Sequence, residues 1–491
     1  MPSHFIHPSN FSIEGITNIS ANNYNHYGER SSKSSIEKLR EHIAAGALHN
    51  SAERCDAPKC HPETRVAVQD EVVSWICHGN SDGVPKKLMW VTGPAGTGKT
   101  AVMGSVSDTC QGKGIIAATH FFSSFSGSAD RRSKRYFVPT LAYQLVQHKA
   151  LSQVADEILS AVEHNPAIFE QKLEVQLEQL ILEPLRACRD RPRLLEWPKA
   201  ILIDGLDECE ADQYHDMTRS NTPRSKEDDQ IEILSVLEKA ASDPDFPFRI
   251  VIASRPEHAI KRFFADVANS MTRELFLDER YDPDSDMALF LESKFANIRR
   301  QCQLPSSWPG NASRALVANA SGQFIYVATV GRFMEGCGGD PEQLLKQVLQ
   351  LPGANAYTNP LAPLDALYAH ILNSSPDPHV SVLWLNLIFR EKYLEVPVRP
   401  VYGEPKIPPP ATFVRLYLES YSGEASHVFR NLNSLVSIPS MKNHNSPYRL
   451  YHKSLVDFLQ RRSRSGDLYI ESTVVFDHLV DRYFHLWKSR S

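Results

Sequence analysis

The spacing of apolar positions changes along the chain and marks its elements. Ser34–Ala45 (SSIEKLREHIAA) puts Ile36, Leu39 and Ile43 on one helical face, and Thr64–Ile76 does the same with Val68, Val72, Val73 and Ile76. Short apolar runs follow at Leu88–Val91, Ile115–Phe122, Ala200–Ile203 and Ile250–Ala253. Runs that are apolar without alternation suit strands of a parallel sheet covered on both faces. Between them Leu173–Leu185 carries apolar residues at 173, 177, 180, 181 and 185, a helix face. Strands alternating with helices predict an α/β fold with a doubly wound parallel sheet.

From Asp282 the period is helical. Asp282-Pro283 is a helix start, followed by Met287, Phe290, Leu291 and Phe295, and Gly322–Met334 is nearly all apolar and predicts a buried element. After Pro360 come further helices and a proline-rich loop at 404–410 (EPKIPPP). Two strand-like segments follow, Leu435–Ile438 and Tyr448–Tyr451, separated by a polar turn containing Asn443, Asn445, Ser446 and Pro447. Helices closed by a small hairpin suit a winged-helix domain. No repeat with a period of about twenty to fifty residues is visible, so no solenoid or propeller is expected.

The strongest chemical signal lies between the first strand and a helix: GPAGTGKT, which is Gly93, Pro94, Ala95, Gly96, Thr97, Gly98, Lys99 and Thr100. It satisfies G-x-x-x-x-G-K-[ST] in the strand–loop–helix setting that this phosphate loop requires. Glycines let backbone N–H groups turn toward phosphate oxygens, and the helix N-terminus adds its positive end. Lys99 would neutralise the β- and γ-phosphates, and the Thr100 hydroxyl would meet Mg²⁺; Ala101, in the same helical turn, belongs with the binding residues. A second signal is ILIDGLDE, Ile201–Glu208, where an apolar strand ends in Asp204. Asp204 is suited to hold Mg²⁺ through water, and Asp207 or Glu208 to orient an attacking water. A third is VIASRPE, Val251–Glu257, which delivers Arg255 at the carboxyl end of a strand, where ligands of open α/β sheets sit; Pro256 would then start a helix. Arg255 can sense a γ-phosphate. Without these neighbours the acidic cluster would read as a solvated turn and Arg255 as a surface arginine. The N-K-x-D segment of Ras-type GTP-binding proteins is absent, so ATP or ADP is the expected nucleotide. Ser321-Gly322-Gln323 resembles the signature of ABC ATPases but lies after the acidic strand instead of before it, so that reading is rejected.

Composition narrows the setting. The chain has 491 residues, enough for about two to four domains. Its net charge of −5 and pI near 6.4 argue against a nucleic-acid-binding surface. The basic runs Arg131–Arg135 and Arg461–Arg464 are short and read as solvated patches. No secretory signal and no membrane span is expected. Eight scattered cysteines suit reduced thiols in a cytoplasmic protein. Cys55, Cys60 and His61 cluster, but no second pair completes a metal site. Residues 1–35 are rich in Asn, Ser, Gly and His; within them Phe11–Tyr27 reads as a flexible leader or as a short motif that adds strands to a partner.

These features together resemble the NACHT group of STAND NTPases, specifically the fungal NLR-like proteins. The resemblance runs from about Ser51 to the C-terminus, through SAERCDAPKCHPETR, the phosphate loop, LIDGLDE, ASRPE, SGQFIYVATV and YHKSLVDFL. After an N-terminal leader over 1–62, partly disordered with a short helix by its composition and spacing, it implies a NACHT nucleotide-binding domain over 63–280. A helical domain over 281–360, a winged-helix domain over 361–465 and a helical tail over 466–491 would follow. It further implies that His452 contacts the β-phosphate of ADP. ATP hydrolysis would be slow, the ATP form would self-associate, and a sensor or effector protein would be the partner, in non-self recognition or regulated cell death. Two departures stand out. Phe324 lies where relatives carry a proline near the adenine. The sequence stops just after the winged-helix region, before the C-terminal repeats common in relatives, which implies either a truncated form or a partner that does the sensing. The same phosphate machinery would also serve a constitutive remodelling ATPase, or a nucleotide-stabilised scaffold without turnover.

Overall fold

The structure is a computed structural model. It describes residues 33–54, 57–79, 83–124, 129–191, 196–211, 225–277, 281–336, 339–352, 359–389, 411–439 and 446–488. The expected strand-adding motif at 11–27, Cys55, the proline-rich loop at 404–410, and Asn443 and Asn445 lie outside the described residues.

The apolar runs form parallel strands: β1 (Leu88–Thr92), β2 (Ile116–Phe121), β3 (Ala200–Asp204) and β4 (Arg249–Ser254), joined by β5 (Thr272–Phe276). Their order is β2-β3-β4-β1-β5, so β4 lies between the phosphate-loop strand and the acidic strand. Alternate residues serve opposite faces, because side chains on a strand alternate. Leu88, Trp90, Ile201, Ile203, Ile250 and Ile252 enter one buried cluster. Met89, Val91, Ala200, Leu202, Val251 and Ala253 enter the other, with Val102, Met103 and Val106 of the helix Lys99–Gly112. Both faces are therefore covered, which explains the unbroken apolar runs. The edge strand β5 (TRELF) was not anticipated; only Leu275 of it is buried, so it carries little apolar signal.

Residues ahead of β1 are built into this sheet layer. Ser34 caps the helix Ser35–Arg40 through a capping box with Glu37, and Leu39 joins the first buried cluster. The helix expected through Ala45 stops at Arg40, because the chain turns to bond β2 and its neighbour. The Ala44 N–H donates to Thr140 Oγ1 at 2.9 Å and the His49 N–H to Thr119 Oγ1 at 3.1 Å. The expected helix at 64–76 runs Val66–His78. The helix begun at Leu173 continues to Ala187 through a π-helical turn at Glu178–Leu182. The helix expected to start at Pro256 starts at His258, because the Glu257 N–H first folds back onto the Arg255 carbonyl at 2.9 Å.

The second half is helical. Asp282 caps Pro283–Cys302 through Ser285, and the Gly322–Met334 stretch forms the helix Phe324–Gly336. One hydrophobic cluster runs from Met287 to Val475, taking in Ala362–Asn373, Pro378–Phe389, Ala411–Leu418 and Ser454–Leu459. The two strand-like segments pair antiparallel as Val436–Ser437 with Arg449–Leu450. Among the described residues, no buried hydrophobic cluster spans the sheet half and the helical half. Nor is any helix among them long and apolar enough to cross a membrane.

Candidate nucleotide site

The loop Gly93–Gly98 leaves β1 at the carboxyl edge of the sheet and opens the helix Lys99–Gly112. The Thr97 hydroxyl ties it across to the Pro94 carbonyl at 3.0 Å. The Lys99 ammonium donates to the Gly93 and Pro94 carbonyls at 2.7 and 2.8 Å, which holds it over the loop. Burial pulls its pKa down to about 8. Gly96 is required twice. Its φ is +83°, and a methyl group there would overlap Ile325 Cγ2 of the helical half. The Ile325 N–H also donates to the Gly96 carbonyl at 3.2 Å.

Asp204 ends β3 fully buried, with Oδ1 lacking any partner among the described residues. Burial raises its pKa to about 7, opposed by the charge of Arg54 and by a hydrogen bond from Thr100. A buried carboxylate oxygen in need of a cation, beside a threonine hydroxyl at a phosphate loop, fits a hydrated Mg²⁺. Gly205 (φ +72°) turns the chain sharply; a side chain there would press on the Phe122 carbonyl at 3.0 Å. The turn presents Asp207 and Glu208. Glu208 accepts the Ser124 N–H at 3.0 Å. Burial raises the Glu208 pKa, and Lys453 of the helical half is the foremost charge opposing that shift.

Arg255 follows β4 and is shared between the halves. Its N–H donates to Asp207 Oδ1 at 2.9 Å and its Nε lies 3.4 Å from Asp207 Oδ2. Its Nη1 donates to Asp457 Oδ2 at 2.9 Å. Burial works against the guanidinium charge, but Asp207 and Asp457 outweigh it and hold the pKa above the usual value. His452 comes from the same C-terminal segment. Its Nδ1 accepts the Ser454 N–H at 3.1 Å, which assigns the ring proton to Nε2, and Nε2 has no hydrogen-bond partner among the described residues. Burial, then the charges of Arg255 and Arg332, push its pKa down to about 3; Lys99 acts in the same direction. The expected residues from Gly93 to Ala101, Asp204, Asp207, Glu208, Arg255 and His452 thus converge on one end of the sheet.

Sequence reasoning missed several neighbours. Arg65, with φ +55°, is buried; it donates to the Thr97 carbonyl at 3.1 Å, and its N–H donates to Asp286 Oδ1 at 3.0 Å. Ile325 on Gly96, and Asp457 on Arg255, are contacts between residues more than two hundred positions apart, which no local pattern reveals. Gln323, beside Gly96, spends its amide on the Pro360 carbonyl at 2.7 Å. His61 of the cysteine–histidine cluster is engaged instead with Ser293 Oγ, at 3.0 Å.

Strand order, phosphate loop and acidic strand define a P-loop NTPase-like fold. Residues 66–255 match the family model described as Nephrocystin 3, N-terminal, a span of less than half the chain. Comparison with curated protein sequences returned no match. Among solved structures, the chain is similar to the ORC2 protein of Aeropyrum pernix in its ADPNP–ADP complexes. Identity is 13%, coverage 89% of this chain and 98% of that one, and the TM-score 0.33. The ADP form of the same protein gives 13% identity, 87% and 97% coverage and a TM-score of 0.33. Likeness at that level carries no argument.

Proposed function

We propose that the chain is an ATP/ADP-binding switch of the NACHT/STAND type, in which the helical half closes over the phosphate site in the ADP form and leaves it in the ATP form. The observation that carries this reading is the double engagement of Arg255, by Asp207 of its own sheet and by Asp457 of the helical half. Arg255 is a candidate γ-phosphate sensor, and its contact with the far half makes nucleotide state and closure compete for one guanidinium. His452 adds a donor, Nε2–H, suited to the β-phosphate of ADP.

Gly93 to Ala101 would cradle the phosphates, with Lys99 as their counter-charge. Thr100 and Asp204 would hold Mg²⁺, which when bound neutralises phosphate charge. Asp207 aims Arg255, and Glu208 serves as the base that orients water in a slow, resetting hydrolysis. The domain boundaries at 63, 281, 361 and 466, the winged helix, self-association in the ATP form, a sensor or effector partner, a cytoplasmic setting and a role in fungal non-self recognition or regulated cell death belong to this same reading.

Magnitudes divide the labour. A partly exposed ion pair contributes about 1 kcal/mol, whereas moving an equilibrium from one extreme to the other takes about 5.5 kcal/mol. Arg255–Asp457 therefore cannot hold the closed form alone, and a phosphate bridge to His452 would add to it. His452→Ala is expected to release a fluorescent ADP analogue at least about tenfold faster in stopped flow, the equivalent of one lost charge-assisted hydrogen bond. An unchanged off-rate removes the bridge. Lys99→Ala is expected to abolish ATP binding, and retained micromolar affinity overturns the site itself. Rapid multiple turnover without co-purifying ADP would favour the remodelling ATPase.

A further inference from the structure

Arg54 closes the short turn Ala52–Arg54, ahead of the region that matches a family. Its guanidinium lies on the Phe121 ring, 3.6 Å from the centroid. Phe121 is the register partner of Asp204 across the β2–β3 pair, and it shares a buried cluster with Leu202, Val102 and Met103. Partners in register on neighbouring strands point to the same face. Arg54 is thereby delivered to the face that carries Asp204 and the phosphate-loop helix.

The group is buried, at 8% exposure, and its Nε has no hydrogen-bond partner among the described residues. Asp204 Oδ1, on the same face, is likewise buried and without a partner. Burial and the charge of Arg131 lower the Arg54 pKa to about 10, so it stays a cation at neutral pH. Arg131 itself is committed, with Nε and Nη2 both donating to the Phe121 carbonyl at 3.3 Å. A buried cation with an unused donor, beside the carboxylate that fits Mg²⁺, calls for an anionic ligand.

We propose that Arg54 is a phosphate-reading residue supplied in cis by the segment ahead of the α/β domain, contacting the terminal phosphate of a nucleoside triphosphate and so favouring triphosphate over diphosphate. This rests on the nucleotide-site reading above and deepens it.

The test is equilibrium binding of a slowly hydrolysed fluorescent ATP analogue and of its ADP counterpart, both with Mg²⁺, to the full chain and to Arg54→Ala, Arg54→Gln and Arg54→Lys. Losing one charge-assisted contact is expected to weaken triphosphate binding about tenfold in Arg54→Ala and Arg54→Gln, with ADP affinity held within about twofold. Arg54→Lys should recover part of the loss. Arg54→Gln keeps a polar stem against Phe121 and decides the matter if Arg54→Ala does not fold. Equal losses for both nucleotides, or none, overturn the proposal and leave Arg54 a structural plug. Failure of the unsubstituted protein to bind either nucleotide sinks the nucleotide site instead.

Discussion

The sheet half and the helical half reach the phosphate loop by different means. Lys99, Thr100, Asp204 and Arg255 stand within a residue or two of strand ends or at the first turn of a helix, fixed by a layer whose both faces are buried. The helical half arrives through isolated contacts: Ile325 on Gly96, Asp286 on Arg65, Ser293 on His61 and Asp457 on Arg255. None of these lies in a hydrophobic cluster shared by the halves. Charged and small-residue seams behave like transient interfaces, and relative motion is their default. On the proposed reading, the sheet is a frame and the helical half a cover that a change of phosphate charge would lift.

Gly96→Ala strikes the seam hardest. It combines backbone strain with overlap against Ile325, and is expected to destabilise the closed protein by about 3 kcal/mol in denaturant titration. Gly423 has a similar φ, +89°, but open space around it, so Gly423→Ala should cost only about 1 kcal/mol. Ile325→Ala should recover part of the Gly96→Ala loss; equal costs for the two glycine variants would deny the contact its importance.

His120 probes the frame. It is fully buried beside Phe122 and Phe137, with ring centroids 4.3 and 5.1 Å away, and neither nitrogen has a partner among the described residues. Burial, helped by the charge of Arg131, drops its pKa from 6.5 to about 3. Between these values the unfolded chain takes up a proton that the native state refuses, so stability falls as pH falls, by about 1.4 kcal/mol per unit. His120→Phe removes this slope, and its advantage over the unsubstituted protein should grow by about 2 kcal/mol between pH 7 and pH 5. A constant difference across that range means the ring is hydrated.

Asp457→Asn gives the smallest change. It weakens one partly exposed pair, so ADP release should quicken about fivefold, matching about 1 kcal/mol. An unaltered rate would detach Arg255 from closure.

Much of the frame was legible because its signals are local. An apolar run, a glycine pattern and a lysine within a dozen residues define β1 and the phosphate loop. The β5 strand was not, since Thr272, Arg273 and Glu274 hide a strand that buries little. Arg54 and Arg65 sit in the stretch SAERCDAPKCHPETR, which carried a family resemblance but no readable chemistry; their roles depend on Phe121, Thr97 and Asp286, which only folding brings near. His452 was singled out, but Asp457, five residues on, gains its meaning only from Arg255.

Because the two interiors share no buried side chains among the described residues, mutations can accumulate in one without repacking the other. Exchange of everything beyond about residue 281 for a different helical module would leave the sheet intact. Among the described residues, the newcomer would need to satisfy His61, Arg65, Gly96 and Arg255 to seat in the same way. Such an architecture lends itself to recombination, with different helical modules grafted onto an unchanged sheet.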